Sequence, residues 1–133
     1  MSSSISIIII TLGIAPTLQK CVQKISLQLK SNDELVIISN KKISWPTTSH
    51  RIKFFVEPTL SQSQARNVGI TKTKNSWIAF IDDDCLPTNR WMKAMRQTMH
   101  SEAVCIQGRC SIYTRTNVWE VLENVSMDVY HRI

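Results

Sequence analysis

Three consecutive carboxylates, Asp82, Asp83 and Asp84, are the residues of this chain with the clearest capacity for chemistry. They directly follow the apolar run 77–81, which predicts a buried strand of a parallel sheet. Because buried unpaired carboxylates are costly, we expect them exposed at the carboxyl end of that strand, where open α/β sheets bind ligands. Oxygen ligands there suit Mg²⁺ or Mn²⁺. The alternative is a solvated acidic turn closed by Pro87.

The segments that precede these carboxylates predict a βαβ unit. A first strand at about Ser4–Thr11 is followed by an amphipathic helix that begins near Leu18 and ends near Lys30. A second buried strand follows at Leu35–Ile38. Because strands joined by a crossover helix pair in parallel, with a right-handed connection, we expect a parallel sheet.

The rest of the chain predicts further helices and strands in the same alternation. The expected elements are a strand at Ile52–Val56, a helix at Ser61–Ile70 capped by Ser61 or Ser63, a helix capped by Thr88 or Asn89 that ends near His100, and a strand at Ala103–Gln107. In the helix before His100, Trp91, Ala94 and Met95 predict the buried face, with Met92 and Met99 as further candidates.

Length, charge and cysteine content narrow the class of protein. The 133 residues give room for one domain with a moderate core. The net charge is +6, but the basic residues are dispersed, so we expect a solvated surface and no nucleic-acid partner. None of the four cysteines forms a CxxC pair, which favours a reducing, cytoplasmic setting. The apolar N-terminal run is far below the ~20 residues that cross a bilayer and predicts a buried strand.

Two segments together resemble the motifs of family 2 glycosyltransferases. Gln64–Ile70 is similar to the family's ARN-x-G segment, and Trp77–Pro87, with Trp91 after it, is similar to the block that holds the DxD motif. The resemblance covers roughly residues 4–114 and implies the nucleotide-binding half of the GT-A fold, an α/β Rossmann-like, mostly parallel sheet flanked by helices. It also implies a nucleotide-sugar donor, a Mn²⁺ or Mg²⁺ cofactor, and inverting transfer of the sugar to a polysaccharide, lipid or protein glycan.

The resemblance also implies roles for particular residues. The donor-binding residues would be Thr11, Ser39, Arg66, Asp82 and Asp83, and the metal-binding residues Asp84 and Asp82. Asp82 would contact the nucleoside end of the donor, and Arg66 would face the nucleotide or its diphosphate. Thr11 lies where the family cradles the nucleobase. Strand alternation predicts that Asp82 and Asp84 share one side, while Gly69 is expected to allow close packing of helix on strand.

Two departures from the family pattern affect the expected function. Ser39, followed by Asn40, stands where the family has a base-reading aspartate. The chain also stops early, so we expect residues 1–133 to be a single domain without its acceptor-binding half. The general base is therefore unknown, because the remaining acids fit the solvated face of a helix better. Those acids are Glu120, Glu123 and Asp128.

Other functions remain open at this stage. The main alternative is a non-catalytic or degenerate nucleotide-binding fragment or subunit. A phosphoacceptor receiver domain is disfavoured, because the first strand ends in Thr11-Leu12-Gly13 with no acid. The apolar edge left by an early stop predicts poor solubility or self-association, and a location at the inner face of a membrane is compatible with the resemblance.

Overall fold

The computed structural model describes residues 4–44, 49–99, 106–108 and 110–111. The chain divides into two compact units, Met1–His100 and Ser101–Ile133. The first unit contains, in chain order, β1 (Ile5–Thr11), α1 (Leu18–Ser26), β2 (Glu34–Ser39), β3 (Ile52–Val56), α2 (Gln62–Thr71), β4 (Trp77–Phe80) and α3 (Trp91–Thr98). In the second unit, the described residues 106–108 and 110–111 lie outside helices and strands. Most of the strand predicted at Ala103–Gln107, and all three downstream acids, lie outside the described residues.

The four strands form one parallel sheet in the order β3-β2-β1-β4, which confirms the predicted α/β class. The chain adds β2 and β3 on one side of β1 and then crosses to add β4 on the other. This reversal places a topological switch point between β1 and β4, and open α/β sheets bind ligands in the crevice at such a point. The predicted carboxylates follow β4, so the topology brings them to this crevice.

Helix α2 packs on one face of the sheet. Ala65 is buried in a cluster with Ile8, Val36 and Ile38. One turn further along α2, a Cβ added at Gly69 would lie 2.8 Å from Cγ2 of Ile8. Because this approach leaves no room for a side chain, Gly69 serves close helix–strand packing, as the sequence predicted.

Helix α2 begins where the sequence predicted. Ser61 is its N-cap and forms a capping box with Gln64, in which each side chain accepts a hydrogen bond from the other residue's backbone N–H. This arrangement satisfies two backbone donors that the first turn of a helix would otherwise leave unpaired.

Helix α1 buries a separate apolar stripe made of Leu18, Cys21, Val22 and Ile25. The helix ends at Ser26, earlier than the predicted end near Lys30. Gln28, just beyond it, binds the start of α3: its Oε1 accepts from the backbone N–H of Met92 at 3.1 Å, and its Nε2 donates to the carbonyl of Thr88 at 2.9 Å.

The predicted start of α3 was wrong, and its buried face was predicted only in part. Its N-cap is Arg90, with no side-chain cap, rather than Thr88 or Asn89. Gln28 supplies an acceptor to the first turn from another element, so a local cap is not required. Met92 and Met99 are buried, whereas Ala94 is exposed and Trp91 and Met95 are only partly buried.

Strand β4 is less buried than its apolar sequence predicted. It ends at Phe80, whose side chain is 46% exposed, and Trp77 and Ile78 are partly exposed. Among the described residues, β4 pairs only with β1 and so lies at the edge of the sheet. Within the same part of the chain, no helix combines the length and apolar character needed to cross a bilayer.

Candidate functional site

The acidic loop, which we define as residues 81–85, leaves β4 at the carboxyl edge of the sheet. Ile81 continues the ladder by one hydrogen bond to the carbonyl of Ile8 at 3.2 Å. The chain then turns, and the N–H of Cys85 donates to the carbonyl of Asp82 at 3.1 Å. Because β4 has already ended, this turn, rather than strand alternation, sets the directions of the carboxylates.

Two of the three carboxylates converge. Asp82 and Asp84 are exposed, and one ligand atom from each lies within 4.8 Å of the other and of the Cys85 sulfur. The Cys85 thiol donates to Oδ1 of Asp84 at 3.6 Å. Carboxylate oxygens suit Mg²⁺ or Mn²⁺ and a thiolate suits softer ions, so this donor set fits a divalent cation. The sequence prediction omitted Cys85 as a ligand, although its position next to Asp84 was visible.

Asp83 points away from this cluster and is partly buried. Its Oδ2 accepts a hydrogen bond from the hydroxyl of Thr11 at 2.5 Å. Its backbone carbonyl accepts from the hydroxyl of Thr17 at 2.9 Å. The middle carboxylate is thus engaged by the protein, and Thr17 is a contact that the sequence reading missed.

Thr11 occupies the end of β1 and is 3% exposed. Its hydroxyl oxygen accepts from the N–H of Gly13 at 2.9 Å while the same hydroxyl donates to Asp83. Gly13 has a φ of +76°, in the left-handed region that favours glycine, and an added Cβ would lie 3.1 Å from Cδ1 of Ile43. The turn after β1 therefore depends on glycine at this position.

Ser39 is the direct ladder neighbour of Thr11, at the end of β2. It is 1% exposed, and its hydroxyl oxygen accepts from the N–H of Lys41 at 3.2 Å. The next residue, Asn40, donates its backbone N–H to the carbonyl of Thr11 at 3.3 Å. Its side-chain Oδ1 is buried and has no hydrogen-bond partner among the described residues. Asn40 therefore offers the freer acceptor of these two polar residues.

Arg66, on α2, lies beside the acidic loop. Its Nη2 is 3.5 Å from Oδ1 of Asp82, and the two side chains are 38% and 69% exposed. An exposed pair at this distance contributes little to stability, so both groups are available to a ligand. The structure thus places all the predicted site residues at one edge of the sheet, as two contacting pairs, Thr11 with Asp83 and Arg66 with Asp82, beside Asp84 and Ser39.

The negative charges of the acidic loop affect the pKa of Cys21, a buried residue of α1. Burial, together with the negative charges of Asp83 and Asp84, raises the pKa of the Cys21 thiol to about 12. The thiol therefore stays protonated and acts as a small apolar group in the core.

Comparison with known proteins identifies the family. Residues 6–131 match the model of glycosyl transferase family 2. The chain belongs to this family. It is also similar to the glycosyltransferase AglE of Haloferax volcanii, with 27% identity over a 124-residue alignment; the match covers 85% of this chain. The chain spans only 41% of the length of that relative.

Proposed function

We propose that this family 2 glycosyltransferase chain binds a nucleotide-diphosphate sugar together with Mn²⁺ or Mg²⁺ and takes part in transferring the sugar to an acceptor. The observation that carries the proposal is the convergence of Asp82, Asp84 and Cys85 within 4.8 Å at the end of β4. The sheet order places this loop at the switch point, which supports a ligand site there.

Each side of the crevice has a separate task in this proposal. Asp82 and Asp84, with Cys85 beside them, would hold the cation, which when bound neutralises charge on the diphosphate leaving group. Arg66 would leave its weak pairing with Asp82 and contact the diphosphate, because a guanidinium presents a fork of donors to phosphate oxygens. Asp82 would also contact the nucleoside end of the donor.

The ends of β1 and β2 would recognise the nucleobase. Thr11 and Ser39 are adjacent in the ladder, but both hydroxyls already contact protein groups. The Oδ1 of Asn40, which has no hydrogen-bond partner in the part of the chain that the structure describes, adds an acceptor suited to an N–H of a base. An amide carries no charge, so we expect base selectivity to rest on hydrogen-bond pattern rather than on charge.

The acceptor half of the reaction is proposed at the level of its class. The transfer would be inverting and would use a general base to deprotonate the acceptor hydroxyl, in a polysaccharide, a lipid or a protein glycan. Leu12 and Ile14, which are 56% and 69% exposed in the loop after β1, support a site that works at the inner face of a membrane. A Leu12→Ser, Ile14→Ser double variant should then sediment less with lipid vesicles than the wild type.

Thermal unfolding with a nucleotide panel tests the donor site. UDP, GDP, CDP and dTDP are each added with Mn²⁺ or with EDTA. A ligand at 100 times its Kd adds about 2.7 kcal/mol, so one nucleotide with Mn²⁺ should raise Tm by several degrees. Asp84→Ala should abolish the shift. Gln97→Ala is the control, because Gln97 is an exposed residue of α3 and has no part in the proposed site.

The outcomes separate the proposal from its alternative. A cooperative melt with no shift for any nucleotide would contradict donor binding by this chain. A Mn²⁺-dependent shift without transfer or hydrolysis of the matching nucleotide sugar would favour the non-catalytic binding module.

A further inference from the structure

Thr17 makes a long-range contact with the main chain of the acidic loop. Its hydroxyl donates to the carbonyl of Asp83 at 2.9 Å, across 66 positions of sequence. Asp83 is at the same time held through its carboxylate by Thr11. One residue of the loop is therefore fixed at two points, by its side chain and by its backbone.

The hydroxyl of Thr17 bonds the acidic loop, although a threonine at the start of a helix ordinarily caps that helix. Thr17 is the N-cap of α1, where a threonine hydroxyl commonly accepts from a backbone N–H of the first turn. Here the side chain makes no cap hydrogen bond. The backbone of Thr17 has helical angles, φ −85° and ψ −16°, instead of the extended conformation of a usual N-cap, so its hydroxyl does not cap the helix and donates to Asp83. Such departures are expected at functional sites.

The backbone of Thr17 is held in place by the first turn of α1. The carbonyl of Thr17 accepts from the N–H of Cys21 at 2.8 Å, which is the first hydrogen bond of the helix. Leu18 and Cys21 in its first turn are buried, at 4% and 0% exposure. The packing of α1 therefore fixes the position of the Thr17 hydroxyl, and this hydroxyl in turn fixes the Asp83 carbonyl in the acidic loop.

We propose that Thr17 is a positioning residue for the cation site formed by Asp82, Asp84 and Cys85. The proposal rests on the proposed function. By fixing the carbonyl of Asp83, Thr17 sets the backbone between the two ligand carboxylates, so that both face the same side. Loss of its hydroxyl leaves every ligand in place but spreads their directions, which weakens cation binding.

A titration of the full chain with Mn²⁺ tests this role, with the free ion measured by electron paramagnetic resonance. In Thr17→Val, which keeps the shape and loses the hydroxyl, the Kd for Mn²⁺ should rise about tenfold, as for other groups that orient metal ligands. Thr17→Ser restores the hydroxyl and should return the Kd to near the wild-type value. Thr71→Val is the matched control, because that hydroxyl donates to a carbonyl of α2, of Val68.

Alkylation of Cys85 gives a second readout that does not need the cation. Thr17→Val should raise the rate of Cys85 modification by iodoacetamide, measured by mass spectrometry, and Thr17→Ser should not. Exposed Cys110 serves as the internal reference for reagent activity. If Thr17→Val does not melt cooperatively, Thr17→Ala, which lacks both methyl and hydroxyl groups, takes its place.

The two readouts distinguish failure of this inference from failure of the proposed function. If the wild type does not bind Mn²⁺, the proposed cation site fails, and the Cys85 rates alone decide whether Thr17 orders the loop. If the wild type binds Mn²⁺ and Thr17→Val binds it equally well, the positioning role is overturned. A loss of binding that serine does not rescue also overturns it.

Discussion

The hydroxyl of Thr11, at the end of β1, donates a 2.5 Å hydrogen bond to Oδ2 of Asp83, in the loop that follows β4. Because β1 and β4 flank the switch point of the sheet, this bond joins the segments that leave the two strands. It holds the middle carboxylate inward while Asp82 and Asp84 remain exposed. Three identical neighbours in sequence thus have two different environments.

Thr11→Val should lower the free energy of unfolding by about 1–3 kcal/mol, because it leaves the partly buried carboxylate of Asp83 without its hydroxyl donor. Urea denaturation measures the change. Thr73→Val is the control, since the hydroxyl of Thr73, just beyond α2, donates to the carbonyl of Ile70 within the helix, and its effect should stay within about 0.5 kcal/mol. Equal losses in the two variants would contradict a special role for the bond between Thr11 and Asp83.

Arg66→Gln should separate binding from stability. Its pairing with Asp82 is long and exposed, so the free energy of unfolding should change by less than about 1 kcal/mol. The Kd for the nucleotide that binds with Mn²⁺ should rise about tenfold or more, because a charge-assisted hydrogen bond to the diphosphate is lost. Calorimetric titration measures this. Arg90→Gln, an exposed change near α3, should leave the Kd unaltered, and an unchanged Kd in Arg66→Gln would remove Arg66 from the site.

Gly69→Ala should destabilise the fold although alanine favours helices. The new Cβ would lie 2.8 Å from Cγ2 of Ile8, a branch close to the backbone that cannot swing away. Overpacking of this kind costs about 1–3 kcal/mol, against a gain of about 1 kcal/mol in helix propensity. Gly108→Ala, where an added Cβ meets nothing within 4 Å, is the control. A lower cost of Gly69→Ala in an Ile8→Ala background, measured as a double-mutant cycle, would locate the strain at this contact.

Glu34 should make stability depend on pH. It is 1% exposed at the start of β2, and its oxygens lie 2.7 Å from the Ser6 hydroxyl, 2.6 Å from the Lys74 N–H and 2.7 Å from the Lys53 ammonium. Burial alone would raise the pKa of Glu34, but these partners outweigh it and hold the pKa below its ordinary value of 4.5. The unfolded state therefore binds the proton more tightly, so this stabilisation is present above 4.5 and is lost as the pH falls through the folded value.

Glu34→Gln tests that dependence. The variant should be less stable at neutral pH, because Lys53 loses its charged partner, and its urea midpoint should fall less than that of the wild type on acidification. Lys93→Gln, an exposed change of one charge, should keep the wild-type dependence. Parallel curves for wild type and Glu34→Gln would show that acid sensitivity arises elsewhere.

Local patterns predicted most of the framework. The run of isoleucines predicted β1, helical spacing of apolar residues predicted α1, and a candidate serine cap at Ser61 or Ser63 predicted the start of α2. These signals act between residues a few positions apart, so they are legible in sequence. The start of α3 was misread because its first turn is satisfied by Gln28, 64 positions away.

The buried acids at the amino end of β2 also depend on contacts that the sequence does not predict. Asp33 and Glu34 are adjacent acids at the start of β2, a residue type that is ordinarily exposed, yet each is 1% exposed. Asp33 accepts from the N–H of Ile5 at 3.0 Å and pairs with Arg96 of α3. Partners on other elements offset the desolvation cost of burying these acids. Residue spacing in the sequence does not predict such partners.

Local sequence patterns were enough to predict the parallel sheet, the family and an acidic cluster after β4, because strand periodicity and contiguous motifs depend on neighbouring residues. The folded chain was needed to show that Asp83 turns inward while Asp82 and Asp84 converge beside Cys85. It also assigned the Thr17 hydroxyl to the loop instead of to its own helix. These choices depend on hydrogen bonds across 66 and 72 positions, which exist only once the sheet has brought β1, α1 and β4 together.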